Sequence, residues 1–335
     1  MKLLKGQAEN SFRISVIALG NTSNRIDVAQ CVRDVFRRGM VARIILGAVV
    51  LLIVIGSIGV DVAMEGALHP TGRRRALDTA GLAQRSADAV SGTARHITIH
   101  ASDDVPLKAW WIVPRHWSGR AVIACHGVAD SGFGVLGDAL LFLRNGYAVL
   151  VPDSRGHGES GGLVSYGVYE ARDTVQWLSL VRAQGARKVY GFGESLGGAI
   201  LLESLGRGAQ FNAIIAESPY SSFEEIARER VARYEHVAPW LATIMVKEAL
   251  LYTRVAHQVA LSEADPAHAV RGVDVPILLI HGENDRETSP VNSERIFREA
   301  SCAELWLVAD AGHTGAYAAS PRQFESRVLD WFNRH

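Results

Sequence analysis

The chain has 335 residues, 48% of them apolar and only 21% charged, and Lys+Arg and Asp+Glu both total 35, for a formal net charge of zero. That length holds one large α/β domain with appendages, and the balanced charge lacks the basic footprint by which proteins grip nucleic acid. The three cysteines, Cys31, Cys125 and Cys302, are odd in number, far apart and without Cys/His ligand spacing, which argues against a disulfide framework and a structural zinc site.

Residues 1–39 show no sustained helical or strand period, and no role is assigned to them. From Ile44 to Val60 about 17 residues carry no charge, a helix of ~26 Å, within the range that spans a ~30 Å hydrocarbon core. A buried core helix of this length would be unusual without a polar face. A cleaved signal peptide is disfavoured because Asp61–Ala67 offers no good small-x-small cleavage site and the run exceeds ~7–15 residues. Residues 40–62 are therefore expected to form a single transmembrane anchor. Arg33, Arg37, Arg38 and Arg43 precede it and Arg73, Arg74 and Arg75 follow. The slight positive-inside bias puts the N-terminus inside and the following domain outside the cytoplasm. Initiation at Met40 is an open alternative that would remove three of the preceding arginines and reverse that bias. Residues 63–95 read as a linker, within which Thr71 to Gly92, rich in small and polar residues with three adjacent arginines, is a tether or a membrane-surface patch.

A folded domain is expected over 96–335. It opens with two alternating runs, His96–His100 and Leu107–Val113, joined by a polar turn, an antiparallel hairpin. Strands apolar throughout follow at 121–124, 147–151, 188–192, 213–216, 277–280 and 305–308, as strands covered on both faces must be. Helical patterns separate most of them, for example Val168–Val181, so the fold class is α/β, a mostly parallel sheet of about eight strands flanked by helices. Residues 217–274 exceed one crossover and carry helical segments at Glu224–Glu235 and Trp240–Leu261. An insertion at the carboxyl edge of a parallel sheet lies over the ligand crevice, and this one reads as a small helical cap.

The chemistry concentrates in Gly191-Phe192-Gly193-Glu194-Ser195-Leu196-Gly197-Gly198, where a strand meets a helix of small residues. In that context G-x-S-x-G is a nucleophile elbow, with Ser195 presented on a strained turn. A serine hydroxyl needs a base, itself oriented by a third group. His313 follows the last strand and Asp285 the one before it, both at the sheet's carboxyl edge, in chain order Ser195, Asp285, His313. Glu217, after the strand that succeeds the elbow, is the alternative acid. His126 and His157 sit in glycine-rich loops and are expected to shape backbone and not transfer protons. Cys125 reads as a buried thiol, and Asp310 as a turn residue.

These stretches, with Cys125-His126-Gly127, Asp153-Ser154-Arg155-Gly156-His157-Gly158-Glu159-Ser160-Gly161-Gly162, His281-Gly282 and Gly312-His313, resemble the α/β-hydrolase superfamily over about 240 residues. The similarity is to its compact bacterial serine-hydrolase branch, with monoglyceride-lipase-like and serine-aminopeptidase-like members. It implies Ser195 as nucleophile, His313 as base and then acid, Asp285 as the carboxylate that sets the imidazole tautomer, and an oxyanion hole at the backbone N–H groups of Val128 and Leu196. No metal or cofactor is called for. The expected activity is hydrolysis of a carboxylic ester of a small-molecule acyl substrate, lipid or long-chain acyl esters fitting an anchored, capped enzyme. A serine aminopeptidase or amidase is the alternative, with Glu224, Glu225, Glu229 and Glu235 available to an amine. A cofactor-free haloperoxidase or C–C hydrolase on the same fold stays open, and a non-catalytic binding protein is disfavoured by the intact triad. Composition leaves the oligomeric state undetermined.

Overall fold

A computed structural model describes residues 28–70 and 78–335. Arg73–Arg75, and the N-terminal segment through Asp27, lie outside the described residues. The chain divides into two compact units, Met1–Ile55 and Gly56–His335. The first contributes most of helix α1 (Val28–Leu68), whose stretch Met40–Leu68 is long and apolar enough to cross a membrane. Ile44, Leu46, Leu51, Leu52 and Ile55 on it are exposed, unlike the side chains of a core helix.

The second unit is built on an eight-stranded sheet. The hairpin is β1 (Thr93–His100) and β2 (Pro106–Val113), with Thr93 opposite Val113 and His100 opposite Pro106. The rest are β3 (Arg120–Cys125), β4 (Tyr147–Pro152), β5 (Lys188–Glu194), β6 (Ile214–Glu217), β7 (Ile277–Gly282) and β8 (Ala303–Val308). The order across the sheet is β1-β2-β4-β3-β5-β6-β7-β8. Only the β1–β2 and β2–β4 pairs are antiparallel.

Alternating side chains divide two cores. Val122, Ala124, Val149, Phe192 and Ile215 pack against α2 (Thr79–Asp88), α3 (Leu136–Arg144) and α11 (Pro321–Arg334) through residues such as Ala87, Phe142, Phe324 and Phe332. On the other face Ala121, Ile123, Leu150 and Ile214 meet α4 (Glu170–Ala183), α5 (Leu196–Gly206) and α9 (Val291–Glu299) through Trp177, Leu201 and Ile296. Because both faces are covered, the central strands are apolar throughout.

The helical insertion consists of α6 (Phe223–Tyr234), α7 (Pro239–Ala256) and α8 (Pro266–Ala269). Helix α7 ends earlier than the apolar pattern to Leu261 suggests, because Gln258 takes a left-handed φ of 58° that no continuing helix accommodates. The stretch 63–95 also differs from a plain linker. Asp78 caps α2 by accepting from the Gly81 N–H at 2.8 Å, and Ala83, Ser86 and Ala87 form a small-residue stripe against the sheet. At its start Met64 and Leu68, the last turn of α1, are buried beside Val164, Leu196, Ile200, Tyr220 and Phe223. The Leu68 carbonyl accepts from the Val164 N–H at 2.9 Å, and the Ala67 carbonyl from the Tyr166 hydroxyl at 3.0 Å. The remaining helix, α10 (Ala316–Ala319), follows the loop after β8.

Candidate active site

Ser195 follows β5 and caps α5 with φ 51° and ψ −114°, a conformation strained for any side chain. The strain is held in place by close contact on both sides. A Cβ on Gly193 would lie 2.5 Å from the Gly197 carbonyl carbon, and one on Gly197 would lie 2.2 Å from the Cys125 carbonyl oxygen. Both glycines of the motif are thus required by space, because strand, turn and helix cross β3 at backbone distance. The Ser195 N–H donates to the Glu217 carbonyl at 2.8 Å, tying the turn to the neighbouring strand.

His313 comes from the loop after β8 and Asp285 from the loop after β7. His313 Nε2 is 2.9 Å from Ser195 Oγ, and its Nδ1 is 2.7 Å from Asp285 Oδ2. The carboxylate can only accept there, so the imidazole proton sits on Nδ1 and Nε2 faces the serine with a lone pair. Asp285 Oδ1 accepts from the N–H groups of Glu287 and Thr288 at 2.8 and 2.9 Å. Burial alone would raise this carboxyl, but hydrogen bonds from His281, His313 and the Thr288 N–H outweigh it and hold Asp285 well below the usual carboxylate range.

Sequence reasoning missed the part played by His281. Fully buried, it places Nε2 2.8 Å from the Thr288 carbonyl and 3.2 Å from Asp285 Oδ2, while Nδ1 is 2.6 Å from the Ser293 hydroxyl. One ring nitrogen thus donates to the acid's loop and the other accepts. The signal in the sequence was its position four residues before Asp285. Glu217, the alternative acid, does not reach His313: its Oε1 accepts from the Ala316 N–H at 3.0 Å. Burial pushes its carboxyl up to about 7. Burial, with Asp138 and Glu217 nearby, also raises Glu194.

The loop after β3 is shaped as expected by His126 and His157. His126 Nε2 accepts from the Ser154 N–H at 3.1 Å and its Nδ1 donates to the Gly127 carbonyl at 2.7 Å. His157 Nε2 accepts from the Ala129 N–H at 3.1 Å and its Nδ1 donates to the Arg155 carbonyl at 2.8 Å. Both rings are neutral in these roles, and burial lowers His157 to about 4. Asp153 accepts from the N–H groups of Gly132 and Glu159 at 2.7 and 2.8 Å. Arg155, 3% exposed, is clamped between Asp173 and Asp103. Between these braces, Gly127 would bring a Cβ to 3.6 Å from the Ser195 Cβ, so the loop passes over Ser195. Among the described residues, the N–H groups of Val128 and Leu196 donate to no other group of the chain. Cys125 is buried and its thiol pushed up to about 12, and Asp310 sits in a turn with φ 60°. Among the described residues no group of three His, Cys, Asp or Glu side chains could hold a metal ion.

An eight-stranded, mostly parallel sheet with a serine elbow after β5 and acid and histidine loops after β7 and β8 defines an α/β hydrolase of the serine type. A family model described as the prolyl oligopeptidase family matches residues 137–335, and the chain belongs to that family. The uncharacterised protein YqkD of Bacillus subtilis is 28% identical over 235 residues, covering 68% of this chain and 75% of the relative. An uncharacterised membrane protein of Saccharomyces cerevisiae, YNL320W, is 22% identical over 204 residues, covering 60% of this chain and 66% of its own length. The structure of the esterase Pf2001 of Pyrococcus furiosus superposes with a TM-score of 0.61 at 23% identity, covering 80% of this chain and 98% of the esterase. The resemblance to the α/β-hydrolase superfamily thus extends from motifs to the whole fold.

Proposed function

We propose that the chain is a membrane-anchored serine hydrolase that cleaves carboxylic esters with apolar acyl groups through an acyl-enzyme on Ser195. The observation that carries this reading is the unbroken hydrogen-bond chain Ser195–His313–Asp285 on a strained elbow. As Ser195 Oγ attacks the acyl carbon, His313 Nε2 takes its proton, and Asp285 stabilises the imidazolium that forms. The oxyanion accepts from the Val128 and Leu196 N–H groups, each worth ~10²–10³ in rate. Collapse expels the alcohol, protonated by His313. Water, deprotonated by the same nitrogen, then attacks the acyl-enzyme and releases the acid.

Leu196, next to Ser195, belongs to an apolar cluster with Val128, Ile200, Tyr220 and Phe223, against which Met64 and Leu68 of α1 also pack, and such surroundings favour an apolar acyl group over a charged one. The cap acids an aminopeptidase would aim at a substrate amine are engaged or turned outward in part. Glu225 pairs with Arg295, and Glu235 is exposed. Amide or peptide cleavage is the second reading, and membership of a family named for oligopeptidases favours it.

A fluorophosphonate probe should label the protein, and Ser195→Ala should abolish the labelling; a labelled variant overturns the nucleophile. Turnover of p-nitrophenyl esters of increasing chain length, beside aminoacyl and prolyl amides, then separates the two readings. Rates that rise with chain length and exceed those on amides support the ester, and the reverse order supports the peptide.

A further inference from the structure

We propose that the outer face of cap helix α7 lies in the headgroup layer of the bilayer that α1 crosses, so that the cap is held on the lipid surface. The inference rests on the reading of α1 as a membrane anchor.

Helix α7 is apolar on two opposite sides. Ala242, Val246 and Thr253 are buried. At 100° per residue they fall on one side, and Trp240, Ile244, Leu251 and Val255 fall on the other. These four are 67%, 54%, 62% and 73% exposed. A helix that faced only water would carry charged and polar residues there, and an exposed apolar stripe of this kind marks an interaction surface.

Two observations identify lipid as the occupant. The first is charge and residue type. Lys247 and Arg254 are exposed along one edge of the stripe, with Glu248 along the other, and among the described residues neither cationic side chain has a hydrogen bond or ion pair. Cations beside Trp and Leu on one helix face are the composition of a helix lying in an interface with anionic phosphates. Tyr234, at the end of the preceding helix, is 58% exposed and adds a second aromatic ring with a polar tip to the outside of the cap.

The second is continuity with the anchor. The Tyr252 hydroxyl and His257 Nε2 are each 2.5 Å from Glu65 Oε1. Glu65 follows the end of the expected span, residue 62, by three residues, ~4.5 Å along a helix. The C-terminal part of α7 is therefore tied within about one helical turn of where the chain leaves the hydrocarbon. A surface stripe on that helix meets the headgroup layer first.

The test uses the full chain with Cys31, Cys125 and Cys302 replaced by alanine, reconstituted in vesicles of phosphatidylcholine and phosphatidylglycerol. Nitroxides are placed by Leu52→Cys in the span, Ile244→Cys and Leu251→Cys on the stripe, and Gln323→Cys on the exposed side of α11. Relaxation is read with oxygen, which concentrates in lipid, and with a water-soluble nickel chelate. Labels at 52, 244 and 251 should be accessible to oxygen and shielded from nickel, with the reverse at 323. A lipid-exposed 52 with nickel-accessible 244 and 251 overturns the proposal and leaves the anchor intact. Labels at 244 and 251 shielded from both reagents reveal a second copy on this face, and also overturn it. Nickel access at 52 overturns the anchor and the docking together. In a second readout, Leu251→Glu combined with Val255→Glu should lower hydrolysis of a long-chain ester in vesicles by roughly fivefold or more. Hydrolysis of soluble p-nitrophenyl acetate should hardly change, and an equal loss on both substrates overturns the proposal.

Discussion

Asp285 meets His313 through one oxygen and two backbone N–H groups through the other, so its two oxygens cannot exchange roles freely. In Asp285→Asn the amide oxygen keeps the N–H groups of Glu287 and Thr288, and the NH₂ turns toward His313. That forces the other imidazole tautomer, with a proton on Nε2 facing Ser195. We expect kcat to fall by about 10³–10⁴, with the melting temperature little altered. Glu217→Gln should retain activity within a few-fold, and the opposite pattern would assign the acid to Glu217. At this scale the serine, histidine and both carboxylates were legible, because each sits at or just beyond the carboxyl end of an apolar strand. Asp285 was the expected acid and Glu217 the alternative, since both lie at the same sheet edge. In the fold Asp285 meets His313 and is buttressed by His281, while Glu217 accepts from the Ala316 N–H.

The elbow binds sequence to geometry most tightly among the elements. Gly197→Ala would drive a methyl group against the Cys125 carbonyl at 2.2 Å, where backbone and not a flexible side chain must give way. Overpacking of this kind costs ~1–3 kcal/mol, occasionally more. A lowered melting temperature and loss of fluorophosphonate labelling are expected. A variant that melts and labels like the wild type would show that strand and helix do not approach as described. All eight strands were readable as apolar or alternating runs, with ends displaced by a few residues. Helix α2 was not, because Ala83, Ser86 and Ala87 are too small to register as an apolar face until the sheet lies against them. The shortened end of α7 was also hidden, since the left-handed turn at Gln258 has no glycine to announce it.

Across the whole molecule, several carboxyls are buried with raised proton affinity, and this sets the pH response of the fold. Glu203, on α5 and 4% exposed, has Oε1 buried without a hydrogen-bond partner. Burial first, then the nearby Asp265, pushes it from 4.5 to about 8. Between these values the native state holds a proton that the unfolded chain has released. Stability from this group is therefore complete below about 4.5 and is lost as pH rises through about 8. Glu203→Gln should flatten the decline in melting temperature over that window and stabilise the protein most at its alkaline end. An unchanged slope in thermal melts against pH would exclude Glu203 as its source.

The amino-acid sequence alone determined the α/β class, the apolar segment at the N-terminus, and the order of serine, acid and histidine. Those features are written locally, in runs of apolar residues and in glycine-bounded turns that specify their own backbone. The tertiary structure alone showed that Glu217 is engaged by the Ala316 N–H and away from His313, that His281 braces Asp285, and that the end of α1 packs beside Leu196 and bonds to α7. Each of those is a contact between residues distant in the chain, and burial and hydrogen-bond satisfaction select it only once the sheet has brought the loops together.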